Sequence, residues 1–224
     1  MFPETGTLHE LQDNPTETLV SLYPIVSGFR FNYVTSAEVT KPESNLATNS
    51  LDRLILKHIR AQSDLIITTG LTARNEKLNS SQFAPMLVIT RANETLNFPA
   101  TQTRSSHPVY LTQTLGTEYP NTKAIAIGIV RSSIPDFASA FCRDNSILRA
   151  VVETGITAAR EFAHAGLLTE IDLTVTRSPE QEVASRLAKE FLTALGITDA
   201  HMIQLLKHED SWFFRFGSPA ARNL

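Results

Sequence analysis

Hydrophobic and polar positions in this chain follow two periods, one typical of strands and one of helices. The stretch 147–152 is a short apolar run, rich in β-branched residues, which predicts a buried strand rather than a helix. Gly155 then supplies backbone freedom for a turn, and apolar residues recur at helical spacing over 156–163. Gly166 suits the left-handed residue that ends many helices. This part of the chain therefore predicts a strand–turn–helix unit.

The same two periods continue along the rest of the chain. Residues 171–176 alternate apolar and polar side chains, which predicts a strand with one solvated face. Further strands are predicted at 29–34, 64–68, 85–90, 109–112 and 124–130, the last of them buried, and further helices at 15–23, 50–59 and 135–145.

The C-terminal part predicts one more helix and a hairpin. The segment 178–181 has the spacing of a capping box that opens a helix, and Gly196 marks its end. Strands at 202–206 and 212–216 form the hairpin, whose second strand places Trp212, Phe214 and Phe216 on one face and Phe213 on the other. Such an aromatic strand is typical of a core or a dimer interface.

The order of these elements predicts one α/β domain spanning 1–224, with residues 1–25 as an N-terminal extension. Alternating strands and helices favour a mostly parallel sheet with helices on both faces, and the final hairpin adds antiparallel strands.

Composition excludes several classes of protein. The 224 residues are 42% hydrophobic and 19% charged, as in ordinary globular proteins. A net charge of -3 disfavours a general nucleic-acid binder. No apolar run approaches the roughly 18 residues that span a membrane, and the N-terminus lacks a signal peptide, so we expect a cytoplasmic protein. The lone Cys142 fits a reducing compartment, and the six histidines never fall at metal-ligand spacing, so no metal is predicted.

Candidate chemistry lies where predicted strands end. Ligands of α/β sheets bind beyond the carboxyl ends of strands, often at a helix N-terminus. Glu153 and Gly155 lie at such a point, but their spacing fits an ordinary strand–helix connection equally well. Arg91 follows the strand 85–90, where it is either a partner for a phosphate or one more surface arginine.

Three motifs resemble the pyrimidine reductase family of riboflavin biosynthesis. The family's Val-Glu-Gly-Gly, helix, Ala-Gly-Leu-hydrophobic-Asp-Glu pattern corresponds to VETG at 152–155 and AGLLTE at 165–170, where Thr154 replaces a glycine and Thr169 an aspartate. The family's Arg-Ala-x-x-Asp, strand, Thr-x-Arg-x-acid pattern corresponds to 60–76. Its early Ser-Leu-Asp-Gly corresponds to SAEV at 36–39.

The resemblance, which covers roughly residues 31–216, implies a dihydrofolate-reductase-like three-layer fold, NADPH as cofactor, a pyrimidine-type or pterin-like substrate and a homodimer. It implies catalytic roles for Glu38, Glu76 and Glu153, the last two as anchors for donor groups of the substrate. It implies that Thr72 binds near the reacting carbon and that the turn 154–157 faces cofactor phosphates. The full set of implied cofactor-binding residues is Gly70, Thr72, Thr90, Arg91, Thr154, Gly155, Ile156 and Thr157.

Departures from the family pattern leave two alternatives open. Glu38 is one methylene longer than the family's aspartate, Val39 replaces a glycine, and Thr154 is expected to narrow the approach to a pyrophosphate. The first alternative is a degenerate paralogue that binds a nucleotide without turnover or serves as a non-enzymatic dimeric module. The second is a different α/β enzyme on a similar fold.

Overall fold

The structure is a computed structural model that describes residues 6–7, 15–37, 50–91, 96–120, 122–178 and 180–218. The strands are β1 (Gly6–Thr7), β2 (Gly28–Ser36), β3 (Leu65–Thr69), β4 (Met86–Ile89), β5 (Val109–Leu111), β6 (Ala124–Ala126), β7 (Arg149–Val152), β8 (Leu168–Thr176), β9 (His201–His208) and β10 (Ser211–Gly217). The helices are α1 (Pro15–Leu22), α2 (Ser50–Gln62), α3 (Gly70–Asn75), α4 (Pro99–Gln102), α5 (Ile134–Asp144), α6 (Ile156–His164) and α7 (Gln181–Leu195).

The described strands form one sheet in the order β1-β9-β10-β8-β2-β7-β3-β4-β5-β6. From β8 to β6 every neighbouring pair is parallel, while β10 runs antiparallel to both β8 and β9. Helices follow β2, β3, β4, β6 and β7 in the chain and provide crossovers of the kind that parallel pairing requires. The predicted mostly parallel sheet with a closing antiparallel hairpin is confirmed.

Helices cover the sheet on both faces, which gives three layers. One apolar core lies between the sheet and α5, α6 and α7, and the other involves α1, α2, α3 and α4. In α2 the apolar residues Leu51, Leu54, Ile55 and Ile59 recur at helical spacing, which predicts one buried stripe; Leu51, Ile55 and Ile59 are buried, whereas Leu54 is 38% exposed. Burying a side chain of this size contributes about 1.5–3 kcal/mol, so such stripes hold the layers together. None of the helices in the described ranges is long and apolar enough to cross a membrane.

The aromatic residues of β10 belong to these cores. Trp212, Phe214 and Phe216 join the core beneath α7, and Phe213 joins the opposite one, as the alternation predicts. All four are at most 6% exposed, and the Trp212 indole N–H donates to the carbonyl of Ser178 at 2.8 Å. The expectation that these side chains supply a dimer interface is therefore wrong.

Strand β8 differs most from its prediction, because all nine of its residues are buried. Its polar side chains find partners inside the protein. The Arg30 Nε–H donates to Asp172 Oδ2 at 2.5 Å, the Arg215 Nε–H donates to Glu170 Oε1 at 2.7 Å, and Thr174 donates to Asp52 at 2.6 Å. The prediction of a solvated face is wrong, because ion pairs and a buried hydrogen bond take the place of water as partners for these polar side chains.

The end of α1 and the two residues that follow it, 22–24, lie over this buried polar face. Arg30 and Arg215 donate to the main-chain oxygens of Pro24 and Leu22, at 3.3 and 2.8 Å, and Arg30 lies over the Tyr23 ring at 5.4 Å from its centroid. The alternating pattern of β8 could not predict this burial, because the residues that cover the polar face come from the other end of the chain.

Two predictions near strand ends are also wrong. The buried strand at 124–130 is reduced to β6, which lies at the sheet edge and leaves Ile125 45% exposed. The strand predicted from 147 begins only at Arg149, and Leu148 is 71% exposed. Apolar character alone does not reveal which strand lies at the edge of a sheet.

The start of α7 also differs from its prediction. Glu180 is the N-cap and makes no side-chain cap hydrogen bond, while the Ser178 hydroxyl donates to the Glu180 carbonyl at 3.2 Å. The capping box at 178–181 is therefore wrong. The helix end is confirmed, because Gly196 adopts a left-handed conformation with φ of 78°.

Candidate functional site

The carboxyl ends of β3, β4 and β7 meet at one edge of the sheet. Ile67 pairs with Val152, and Thr69 pairs with Ile89, so the residues that follow these strands emerge side by side. Helices α3 and α6 begin at the same edge, directly after β3 and β7. This is the edge at which α/β sheets bind ligands.

A small cluster of hydroxyls and one amide joins the two helix starts. Thr69 caps α3 by accepting from the Thr72 N–H at 3.3 Å, and the two hydroxyl oxygens lie 2.9 Å apart. From the β7 side, the Thr154 hydroxyl lies 3.4 Å from that of Thr69, and the Gly155 N–H donates to the Thr72 hydroxyl at 3.4 Å. The structure thus brings Thr72, Thr154 and Gly155 together. Thr69 was missed, although a threonine directly before a short helix is a recognisable N-cap signal.

The N-terminus of α6 opens into free space. Gly155 is its N-cap, with φ of -65° and ψ of 158°, and a Cβ built there would meet nothing within 4 Å. The first helical residues, Ile156 and Thr157, have no intrahelical acceptor for their N–H groups, and the helix dipole favours negative charge there. The expectation that Gly155 supplies backbone freedom for the turn is wrong, because its φ and ψ are open to any residue. The absence of a side chain at Gly155 instead leaves the N-terminus of α6 accessible.

The two residues that depart from the family's late motif leave this opening clear. Thr154 is only 5% exposed and turns towards Thr69, so it does not narrow the approach to the helix, contrary to expectation. Thr169 lies at the amino end of β8, where its hydroxyl donates to the carbonyls of Phe29 and Ser27 at 3.0 and 3.2 Å. Its role there is to tie β8 to the segment leading into β2.

Two of the three predicted acids lie near each other at this edge. Glu153 follows β7 and accepts two hydrogen bonds from Arg60 of α2, with Nε–Oε1 at 2.8 Å and Nη2–Oε2 at 2.5 Å. Glu76 follows α3 and is exposed, yet the surrounding protein removes enough water from its carboxylate to raise its pKa. The charge of Glu153 also raises the pKa of Glu76, while Arg60 opposes the shift.

Tyr33 of β2 is close enough to Glu76 to be affected by its charge. Burial raises the pKa of Tyr33, and the charge of Glu76 raises it further. Its ring stacks on Phe191 of α7, with centroids 5.0 Å apart. Tyr33 and Arg60 were not chosen as site residues from the sequence, although Arg60 stands within the second matched motif.

Gly70 and Thr90 pack against each other behind the opening. A Cβ on Gly70 would lie 2.8 Å from Leu96 Cδ2 and 3.1 Å from Thr90 Cβ, so a larger residue there would force these buried side chains to shift. Thr90 is 8% exposed, and its N–H donates to the Thr112 hydroxyl at 2.7 Å. These two positions therefore have packing roles that are independent of any ligand.

Arg91 is half exposed at the end of β4 and forms an ion pair with Glu161 of α6. Glu38 and Val39 lie outside the described residues. Across the ranges that the structure describes, no three His, Cys, Asp or Glu side chains are grouped so that they could hold a metal ion.

Comparisons with known proteins find similarity in structure but not in sequence. No family model matches the chain, and no curated protein matches its sequence. A pyrimidine reductase-like protein of Corynebacterium diphtheriae superposes with a TM-score of 0.64 at 13% identity, over 90% of this chain and 98% of that one. The chain has the pyrimidine reductase fold. The resemblance suggested by the motifs is thus confirmed at the level of fold.

Two other solved structures share this fold. A Thermotoga maritima diaminohydroxyphosphoribosylaminopyrimidine deaminase/5-amino-6-(5-phosphoribosylamino)uracil reductase matches with a TM-score of 0.64 at 11% identity, over 85% of this chain. The match covers only 56% of that two-activity protein. The riboflavin biosynthesis reductase of Saccharomyces cerevisiae matches with a TM-score of 0.57 at 11% identity, over 92% of this chain and 100% of that one.

Proposed function

We propose that the protein is an NADPH-dependent reductase that acts on a ribosylaminopyrimidine-type substrate. The observation that carries the proposal is the open N-terminus of α6 at Gly155, beside the threonine cluster and the two acids. It offers what a dinucleotide phosphate needs: free N–H groups, a favourable dipole and unobstructed approach. The residues present therefore fit the cofactor.

On this proposal the N–H groups of Ile156 and Thr157 bind the cofactor phosphates. Gly155 leaves room for them, and Thr72, whose hydroxyl is positioned by Thr69, would bind cofactor or substrate near the reacting carbon. Arg91 binds the 2′-phosphate with its planar set of donors. The cofactor supplies a hydride, and the chain supplies position and charge.

The acids Glu76 and Glu153 bind the substrate, and Glu38 acts with them. Fold similarity to proteins described as pyrimidine and riboflavin-pathway reductases supports this choice of substrate class. The homodimer and the cytoplasmic location belong to the same proposal; sedimentation at micromolar concentration tests the dimer, and a monomeric profile counts against it.

Gly155→Leu tests the cofactor site directly. Because nothing lies within 4 Å of a Cβ at this position, the larger side chain fills the opening without disturbing the fold. We expect the NADPH dissociation constant to rise at least tenfold, with the unfolding temperature nearly unchanged. Unaltered NADPH binding in a folded variant would contradict the site.

Glu161→Gln tests the role of Arg91. In the wild type Glu161 competes with a phosphate for the arginine, so its neutralisation should tighten NADPH binding and leave NADH binding unchanged. Equal effects on both nucleotides would exclude Arg91 as the 2′-phosphate partner. Nucleotide binding without turnover of any aminopyrimidine substrate would favour the degenerate paralogue instead.

A further inference from the structure

Strands β2 and β7 are neighbours whose connections leave the sheet on opposite faces. The chain passes from β2 through α2 to β3, and from β7 through α6 to β8. Helix α2 packs in the core that it shares with α1, α3 and α4, whereas α6 packs in the core of α5 and α7. Where the connections of two adjacent parallel strands diverge in this way, a crevice opens beyond their carboxyl ends, and open α/β sheets bind ligands there. The crevice between β2 and β7 therefore belongs to the candidate site.

Strand β2 forms one wall of this crevice, because it extends further than β7. The last residue of β7, Val152, pairs with Phe31, and β2 continues to Ser36. On its other side β2 stays paired with β8 as far as Thr176. Residues 32–36 consequently reach past the end of β7, beside the turn that leads into α6.

Tyr33 is the aromatic residue of this segment. It packs against the same core as Phe31 and α6, so it lies on the face of the sheet that α6 covers. Its ring stacks on Phe191 with centroids 5.0 Å apart and lies 5.9 Å from the ring of Phe31. Both neighbours are buried, so they hold the tyrosine ring, and with it the hydroxyl, in place before any ligand binds.

The hydroxyl of Tyr33 is free to bind a ligand. It makes no hydrogen bond within the part of the chain that the structure describes, although a buried tyrosine hydroxyl usually finds a partner. The Thr72 hydroxyl, by comparison, lies 2.9 Å from that of Thr69 and accepts from the Gly155 N–H. Tyr33 thus offers an unused neutral donor at the wall of the crevice.

A pyrimidine of the uracil type requires such a donor. Its N–H groups suit the acids Glu76 and Glu153, but its carbonyl oxygens do not, because an ionised carboxylate donates no hydrogen bond. Arg60, the cation beside Glu153, already donates two hydrogen bonds to that carboxylate. Tyr33 can donate to a ring carbonyl without losing an existing partner.

We propose that Tyr33 is a substrate-binding residue, whose hydroxyl donates to a ring carbonyl of a pyrimidine bound in the crevice between β2 and β7. The inference rests on the proposed function for its substrate class. It adds β2 as a wall of the site, and it predicts that the site prefers a ring with a carbonyl to one in which amino groups replace every carbonyl.

Tyr33→Phe tests the hydroxyl, because it keeps the ring that stacks on Phe191. Binding of two probes is followed by ligand-observed NMR. We expect 6-aminouracil to bind Tyr33→Phe about 3–10-fold more weakly than the wild type, as the loss of one neutral hydrogen bond predicts. The second probe, 2,4,6-triaminopyrimidine, has no carbonyl and should bind both proteins equally.

Tyr110→Phe is the matched control. Tyr110 packs its ring on Phe141, with centroids 5.2 Å apart, and its hydroxyl likewise has no hydrogen-bond partner among the described residues. It lies in β5, which three strands separate from β2. This variant should leave the affinity for both probes unchanged.

Fluorine NMR shows where the probe binds. The chain has four tyrosines, so protein labelled with 3-fluorotyrosine gives few signals, and the two variants assign those of Tyr33 and Tyr110. We expect 6-aminouracil at millimolar concentration to shift the Tyr33 signal and to leave the Tyr110 signal in place.

Three results would overturn the role of Tyr33: no binding of 6-aminouracil to the wild type, a bound probe that leaves the Tyr33 signal unmoved, or equal losses of affinity in the two variants. The NADPH titration separates this inference from the proposed function. Failure of NADPH binding with an intact Tyr33 effect would overturn only the cofactor proposal, and NADPH binding without a Tyr33 effect would overturn only the present one.

Discussion

The buried ion pairs between β2, β8 and β10 predict a large cost for Asp172→Asn. Asp172 and Arg30 are 5% and 6% exposed at their side chains, and they form contacts of 2.5 and 3.2 Å. Removing one partner of such a pair costs about 3–5 kcal/mol, because the other charge stays buried without compensation. Glu170 still binds Arg30 at 2.6 Å, so we expect a value near the lower limit, about 3 kcal/mol.

The assay is urea and thermal unfolding followed by Trp212, which is the single tryptophan and is buried. For a chain of this size, about 3 kcal/mol corresponds to a fall of roughly 6–12 °C in Tm. Asp144→Asn is the control, because Asp144 is 70% exposed and lies 3.7 Å from Arg143, and it should cost less than about 0.5 kcal/mol. Equal effects of the two variants would refute the reasoning that burial makes the Asp172 pair matter.

Three further predictions concern packing, pH and thiol reactivity. Gly70→Ala should cost about 1–3 kcal/mol of unfolding free energy through overpacking, and Gly155→Ala should cost little, so equal losses would contradict the packing account. Hydrogen bonds from Arg149 hold the pKa of Asp64 below its ordinary value. The contribution of Asp64 to stability is therefore present above about pH 3.9 and is lost as the pH falls through the lowered pKa. The difference in unfolding free energy between the wild type and Asp64→Asn should then disappear in acid, and a difference that persists would contradict this. Burial raises the pKa of Cys142 to about 11, so its thiol should react with a disulfide reagent only after unfolding, and rapid reaction of the native protein would argue against that burial.

Local periodicity was sufficient to predict much of the fold. Most of the apolar stripe of α2, the left-handed Gly196 and the opposite faces of Phe213 and Phe214 depend only on neighbouring residues, and these are confirmed. Strand β8 shows where this reasoning stops. Asp172 alternates like an exposed residue, but its partner Arg30 comes from 142 positions away, and no local pattern contains that pairing.

In the candidate site, too, some features could be predicted from the sequence and others depend on contacts between distant segments. The family resemblance implied that Thr72, Thr154 and Gly155 belong to one cofactor site, and the structure brings them together because the parallel strands before them end at one edge. The direction of the Thr154 side chain depends on a hydroxyl of Thr69 in another segment, and only the folded chain reveals it. The pairing of Arg60 with Glu153 could not be predicted either, because each residue belongs to a recognised motif but nothing in the sequence indicates that the two are in contact.

The measurement that tests the central claim most directly is a titration of the purified protein with NADPH and, separately, with NADH, followed by quenching of Trp212 and by nicotinamide fluorescence. The account predicts saturable binding of NADPH in the micromolar range and weaker binding of NADH. Absence of binding of either nucleotide up to millimolar concentration would contradict it, and the fold would then serve a purpose other than reduction.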